Sequence, residues 1–289
     1  MIPQLLLAGL VVGSLYALIA VSLNLVYGTM RLLNCGHGDL VMIGAFVGYG
    51  VVVGLGLSPV VGFFVAPMVT GLLGFVLFRT LFFDLSRRLS ADGLEAASLL
   101  IFFGVSMVVQ NTMSYFLTGT PHAYSGYDDL VRIGQTAVSE SRLIALTASV
   151  ALVAAVMAFL RLTMWGIGVR AMIQNREASR IVGIDVERAF ALCSVGGFAL
   201  AGAAGAVLGM QQPATPFMGA PYTTIAFLIV ILGGLGNIAG SLAGGLAIGL
   251  LETLGVSLTD PSYRDPLIYG LFILVLLLRP QGLFARAKR

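Results

Sequence analysis

The feature that most limits this chain is a run of 63 residues, Ala189 to Leu251, without a single charged side chain. Two further stretches, Met1 to Met30 and Leu40 to Phe78, are equally free of charge. A helix needs roughly 20 such residues to cross a bilayer, and lipid offers the backbone no hydrogen-bond partners outside the helix itself. Across all 289 residues only 10% are charged and 58% are hydrophobic, whereas an ordinary soluble domain is about 25% charged. With a mean hydropathy of +0.99, the expected fold class is an all-α polytopic membrane protein. It is read as one transmembrane domain over residues 1–289, with eight or nine membrane-embedded helical segments.

Several chemistries are excluded by what the chain lacks. Lys288 is the only lysine, so neither a phosphate-binding GxxxxGK[ST] loop nor a Schiff-base lysine inside the membrane is available. The two histidines, His37 and His122, and the two cysteines, Cys35 and Cys193, have no metal-ligand spacing. No GxSG serine is present for an intramembrane protease, so no catalytic and no metal residues are assigned. The net charge of +3 does not point to nucleic acid, because the basic residues fall where a membrane protein needs them. The apolar N-terminus has no basic region before it and is too long for a signal peptide, so it reads as a retained first helix.

The bilayer-suited segments run over 5–29, 40–57, 60–78, 97–117, 143–160, 189–210, 222–236, 239–257 and 266–279. Polar connections are expected at 79–95, 118–142, 161–188 and 279–289. Twelve of the sixteen basic residues lie in 79–95, 161–188 and the tail, which puts those regions in the cytoplasm and the 118–142 loop, with Asp128, Asp129 and Glu140, outside. Parity then requires 222–257 to cross twice or to enter and return. Its centre, Gly233-Gly234-Leu235-Gly236-Asn237, is the natural place for a helix break, and a broken helix at membrane depth faces protein or a water-filled cavity. Glycines four apart (Gly9/Gly13, Gly44/Gly48, Gly50/Gly54, Gly205/Gly209, Gly240/Gly244, Gly245/Gly249) suit close helix packing.

The 161–188 loop suggests one short amphipathic cytoplasmic helix, with Met172, Ile173, Ala178, Ile181 and Val182 on one side. Gly183 would stop it, and Asp185 would cap the next membrane helix. From composition alone, such a helix either rests on headgroups or docks a partner. Asn34, His37 and Asp39 form a polar cluster between apolar segments; either it faces a cavity, or Asp39 caps the following helix beside turns at Gly36 and Gly38. Glu252, deep in an apolar stretch, lines a pathway, pairs with a basic group of a partner subunit, or bonds to backbone near an interface. For Asn24 and Gln110-Asn111, hydrogen bonding between helices is expected.

The run Ala178-Ser-Arg-Ile-Val-Gly-Ile-Asp-Val-Glu-Arg188, followed by Ala199-Leu-Ala-Gly-Ala-Ala-Gly205, resembles the ATPase-docking loop of ABC importer permeases. Gly13-Ser-Leu-Tyr-Ala-Leu-Ile-Ala20, Asn34-Cys-Gly-His-Gly-Asp39 and Leu232-Gly-Gly-Leu-Gly-Asn-Ile-Ala-Gly-Ser241 narrow the resemblance to the branched-chain amino-acid permease family, over nearly the whole chain. Cys35 and Gly36 stand where that family usually has an aromatic residue and an alanine, a smaller pair that would alter the local cavity.

The resemblance implies an ABC importer permease fold with a short cytoplasmic coupling helix, in a bacterial inner membrane. The implied function is import of branched-chain or other hydrophobic amino acids. Implied partners are a second homologous permease, two cytoplasmic ATPases that hold ATP and magnesium, and a periplasmic substrate-binding protein. No cofactor is expected on this chain. Docking would fall on Met172, Gln174, Asn175, Arg176, Glu177, Arg180, Gly183 and Asp185. Candidates along the substrate pathway are Asn24, Asn34, His37, Asp39, Gly234, Gly236, Asn237 and Glu252. Alternatives are an importer of urea, short amides or sugars in the same superfamily, or an ion-coupled secondary transporter.

Overall fold

A computed structural model describes residues 2–124, 126–127, 129–133 and 136–279. Asp128 and the basic tail residues Arg286, Lys288 and Arg289 lie outside the described residues. The chain forms helices α1 (Ile2–Met30), α2 (His37–Tyr49), α3 (Pro59–Leu77), α4 (Phe83–Arg88), α5 (Ala91–Phe116), α6 (Glu140–Leu162), α7 (Met164–Gln174), α8 (Arg176–Ile181), α9 (Val186–Gly209), α10 (Gly219–Gly233), α11 (Ile238–Leu258) and α12 (Arg264–Leu278). A small antiparallel hairpin, β1 (Leu130–Ile133) and β2 (Thr136–Ser139), precedes α6. Eight helical spans are long and apolar enough to cross a membrane, and α10 is a shorter apolar helix. The chain is therefore an all-α polytopic membrane protein. At 15 residues, α10 is roughly 22 Å long, short of the roughly 30 Å hydrocarbon core.

Helices α1, α2 and α9 form the buried centre. Around them, α3, α5, α6 and α12 turn apolar side chains such as Met68, Leu100 and Leu277 outward, as a chain solvated by lipid must. Close approach is set by glycine. In the α1–α11 seam, a Cβ on Gly249 would overlap the backbone of Gly13, and one on Gly245 would overlap that of Ala17. Gly50 and Gly54 depart from the expected packing: nothing lies within 4 Å of a Cβ at either, and both are exposed in the π-helical turn, Gly50–Gly54, that follows α2.

Ser58-Pro59 divides the second span from the third, with Pro59 opening α3. The polar connection expected at 79–95 is instead almost entirely helical. A π-helical turn, Phe78–Phe82, carries α3 into α4 as far as Arg88, and α5 begins at Ala91. Buried Phe78 and Phe82 hold this extension, while the guanidiniums of Arg79 and Arg87 sit 4.4 and 4.3 Å above the Phe83 ring. Basic side chains that keep their charge at the surface while covering apolar area let the helix outrun its apolar segment. In the same way α6 begins at Glu140, inside the expected 118–142 loop.

Two contacts define the ends of the bundle. Arg87 forms a bidentate ion pair with Glu187, with N···O distances of 2.7 and 2.6 Å, so the α4–α5 reversal and the 161–188 region share one end. At the other, His122 and Ala214 exchange backbone hydrogen bonds of 2.9 and 2.8 Å, joining the loop after α5 to the segment between α9 and α10. The first of these ends carries the basic residues of the 79–95 and 161–188 regions.

Candidate functional site

At the basic end the chain forms two short helices rather than one. Asn175 is extended (φ −155°), and its side chain accepts from the Ala178 N–H, capping α8 while ending α7. The expected common apolar side is therefore lost. Met172 is buried, yet Ile181 and Val182 are 86% and 74% exposed. Gln174, Asn175, Glu177, Arg180, Gly183 and Asp185 are exposed as well. Gly183 has φ +84°, a conformation glycine adopts without strain, and Asp185 caps α9 by accepting from Arg188 N–H.

Met172 and Arg176 point the other way. Arg176 stacks 4.5 Å above the Phe190 ring, and its Nη2 donates to the carbonyls of Thr29 and Met30 at 3.5 and 3.3 Å. These are orphan acceptors at the C-terminus of α1, where a cation also meets the negative end of the helix dipole. Burial and the neighbouring Arg180 and Arg31 lower the Arg176 pKa from its ordinary value.

The helix break lies one layer deeper. Gly234 and Gly236 have φ of +90° and +80°, and Asn237 caps α11 by accepting from Gly240 N–H. Asn24, fully buried on α1, joins both sides of the break. Its Oδ1 accepts from Gly236 N–H at 2.7 Å, and its Nδ2 donates to Ser241 Oγ at 2.7 Å and to the Gly234 carbonyl at 3.4 Å. Gly236 packs against Gly28 of α1 and Ile173 of α7. One continuous set of contacts therefore runs from the α7–α8 elbow to the break.

The Asn34–Asp39 cluster is separate. Asn34 Oδ1 accepts from Gly36 N–H at 3.1 Å. His37 is fully buried, with Nε2 2.7 Å from Ser22 Oγ. The Ser22 hydroxyl also donates to the Ile19 carbonyl, and His37 Nδ1 has no hydrogen-bond partner among the described residues. Asp39 does not cap α2, whose N-cap is Gly36 with no side-chain cap hydrogen bond; its Oδ1 accepts from Gln110 Nε2 at 3.0 Å. Asn111, expected to bond between helices, donates instead to the carbonyl of Met107 on its own helix.

Asn34, Gly36, Asp39 and Ser106 line a cavity of about 20 Å³, room for one water-sized group. A Cβ at Gly36 would stand 3.0 Å from Ser106 Cβ, so the glycine in the Cys35-Gly36 pair is what keeps this space open.

Glu252 occupies a third place. Its Oε1 is 2.6 Å from Arg264 Nε, and Arg264 Nη2 donates to Tyr16 OH at 2.6 Å. The basic partner is thus the chain's own. Sequence reasoning misses Arg264 because it lies just before the apolar segment that begins at residue 266. Its signal is its place: an arginine between two apolar segments, away from the three basic clusters. Beside it opens a cleft of about 520 Å³ between the 212–225 segment and the start of α12. The pathway candidates thus divide among three places, the break, the Asn34–Asp39 cluster and the Glu252 network.

Comparison with known proteins gives one consistent answer. The family profile for the branched-chain amino acid transport system permease component matches residues 5–276. The high-affinity branched-chain amino acid transport system permease protein LivH of Escherichia coli (strain K12) is 30% identical, over 97% of this chain and 94% of the relative. The corresponding protein BraD of Pseudomonas aeruginosa is 29% identical, over 99% of this chain and 96% of the relative. A probable branched-chain amino acid transport permease protein LivH of Methanocaldococcus jannaschii is 27% identical, over 95% and 90%. No solved structure gives a significant match.

Proposed function

This chain belongs to the branched-chain amino-acid transport permease family, and from that premise we propose that it is the membrane subunit of an ATP-driven importer for branched-chain or other apolar amino acids. In this reading a second, homologous permease completes the pathway. Two cytoplasmic ATPases bind ATP and magnesium, a periplasmic binding protein delivers substrate, and the assembly sits in the inner membrane.

The observation that carries the reading is the path from the α7–α8 elbow to the helix break. The exposed side of α8 and its C-cap, with Glu177, Arg180, Ile181 and Val182, offers charge flanked by apolar area, the composition a protein partner can bury. Behind it, Arg176 grips the end of α1, and Ile173 rests on Gly236. A push on α8 is thereby delivered to α1 and to the break between α10 and α11. Rigid elements in direct contact transmit displacement, and a glycine break supplies the hinge. An apolar amino-acid side chain asks for few polar groups along its route, which suits a membrane interior with little charge.

The test is charge reversal at the elbow in the assembled transporter. Arg180→Glu is expected to lower uptake roughly tenfold while basal ATP hydrolysis persists, and Arg176→Glu to do the same by releasing α1. Normal uptake by both variants would refute the docking assignment. The purified chain alone is expected to hydrolyse no ATP.

A further inference from the structure

The cleft beside Glu252 carries chemistry that the docking account does not use. Its inner wall is apolar, with Ile225 and Ile268 buried and Met218 half-buried. Tyr222 and Gln212 bond to each other along its side. Arg264 and Asp265, successive residues at the start of α12, also line it. Arg264 commits Nε to Glu252 and Nη2 to Tyr16, which fixes the guanidinium plane and leaves Nη1 without a partner among the described residues. Asp265 makes no ion pair among the described residues. Glu252 is buried, with Oε2 making no hydrogen bond among the described residues, so its charge holds Arg264 in place at a desolvation cost that a surface pair would not incur. A volume of about 520 Å³ falls within the usual range for small-molecule sites.

We propose that this cleft is a receiving site for a zwitterionic apolar α-amino acid. Arg264 takes the carboxylate, Asp265 takes the ammonium, and the side chain rests on Met218, Ile225 and Ile268. Glu252 is a positioning residue that orients Arg264. The site lies on the transport route only if the reading under Proposed function holds.

The experiment uses the complete transporter in detergent and in proteoliposomes, with leucine as the probe. Leucine binding is followed by saturation-transfer NMR without the binding protein, alongside uptake. Asp265→Asn is expected to weaken binding roughly tenfold. Arg264→Gln strands Glu252, so the decisive variant is the double substitution Arg264→Gln/Glu252→Gln, in which no buried charge is left over. If Arg264 binds the carboxylate, the double variant stays defective in binding and uptake. Recovery to wild-type binding would mean Arg264 serves only to neutralise Glu252, and would overturn the proposal. So would an absence of leucine binding by a wild-type transporter that takes up leucine. Leucine binding lost in both variants, together with no uptake of any amino acid by the wild type, would support the cleft and refute the transport reading.

Discussion

Asn24 holds the break from both sides, and no other described side chain replaces its bonds to Gly236 and Ser241. Asn24→Leu leaves the Gly236 N–H without its partner in a dry interior, which costs about 1–3 kcal/mol. Thermal unfolding of the solubilised protein should register it as a lower midpoint. Gly234→Ala places a Cβ at φ +90°, a strain of about 1–3 kcal/mol, and should lower the same midpoint. That Asn24 bonds between helices was readable from the sequence, since an amide in an apolar helix must find a partner. The partner of Glu252 was not. Arg264 is twelve positions away, beyond a turn in which Asp260 caps the Pro261–Tyr263 segment, and no helical spacing connects the two.

Among the elements, the α7–α8 elbow differs most from its sequence reading. Ala178, Ile181 and Val182 fall at helical intervals, but Met172 and Ile173, six and five residues before Ala178, do not continue that stripe, so periodicity alone does not join 172–182 into one apolar face. Asn175 makes the division, because an asparagine that accepts from the N–H three residues on starts a new helix. Asn175→Ala removes that cap, worth about 0.5–2 kcal/mol, and favours a straight helix that rotates Arg180 away from its exposed position. Transport in the assembled complex should then fall more than ATP hydrolysis does; equal loss of both would argue against the elbow as the transmitting element. The α1–α11 seam was legible because glycines four apart are what close packing in lipid demands. Gly249→Leu drives a side chain into the Gly13 backbone, and the folded yield of the chain should drop sharply in size-exclusion profiles.

For the whole molecule, the bilayer made most of the architecture readable. Charge-free runs gave the spans, and the glycine-rich centre of 222–257 gave the break. Basic residues marked one end, which the Arg87–Glu187 pair then joined across two connections. Less readable were the ends of helices, where Arg79 and Arg87 extend α3 and α4 beyond their apolar segment, and the cleft, which draws residues from 212 to 269. In the proposed function, separate ATPases drive solute movement by pushing on α8 and, through it, on α1 and the break. The direct measurement is leucine accumulation in sealed proteoliposomes. With the homologous permease, both ATPases and the binding protein present, accumulation should require ATP. The chain by itself should accumulate none under an imposed sodium or proton gradient. Gradient-driven accumulation by the chain alone would contradict the account.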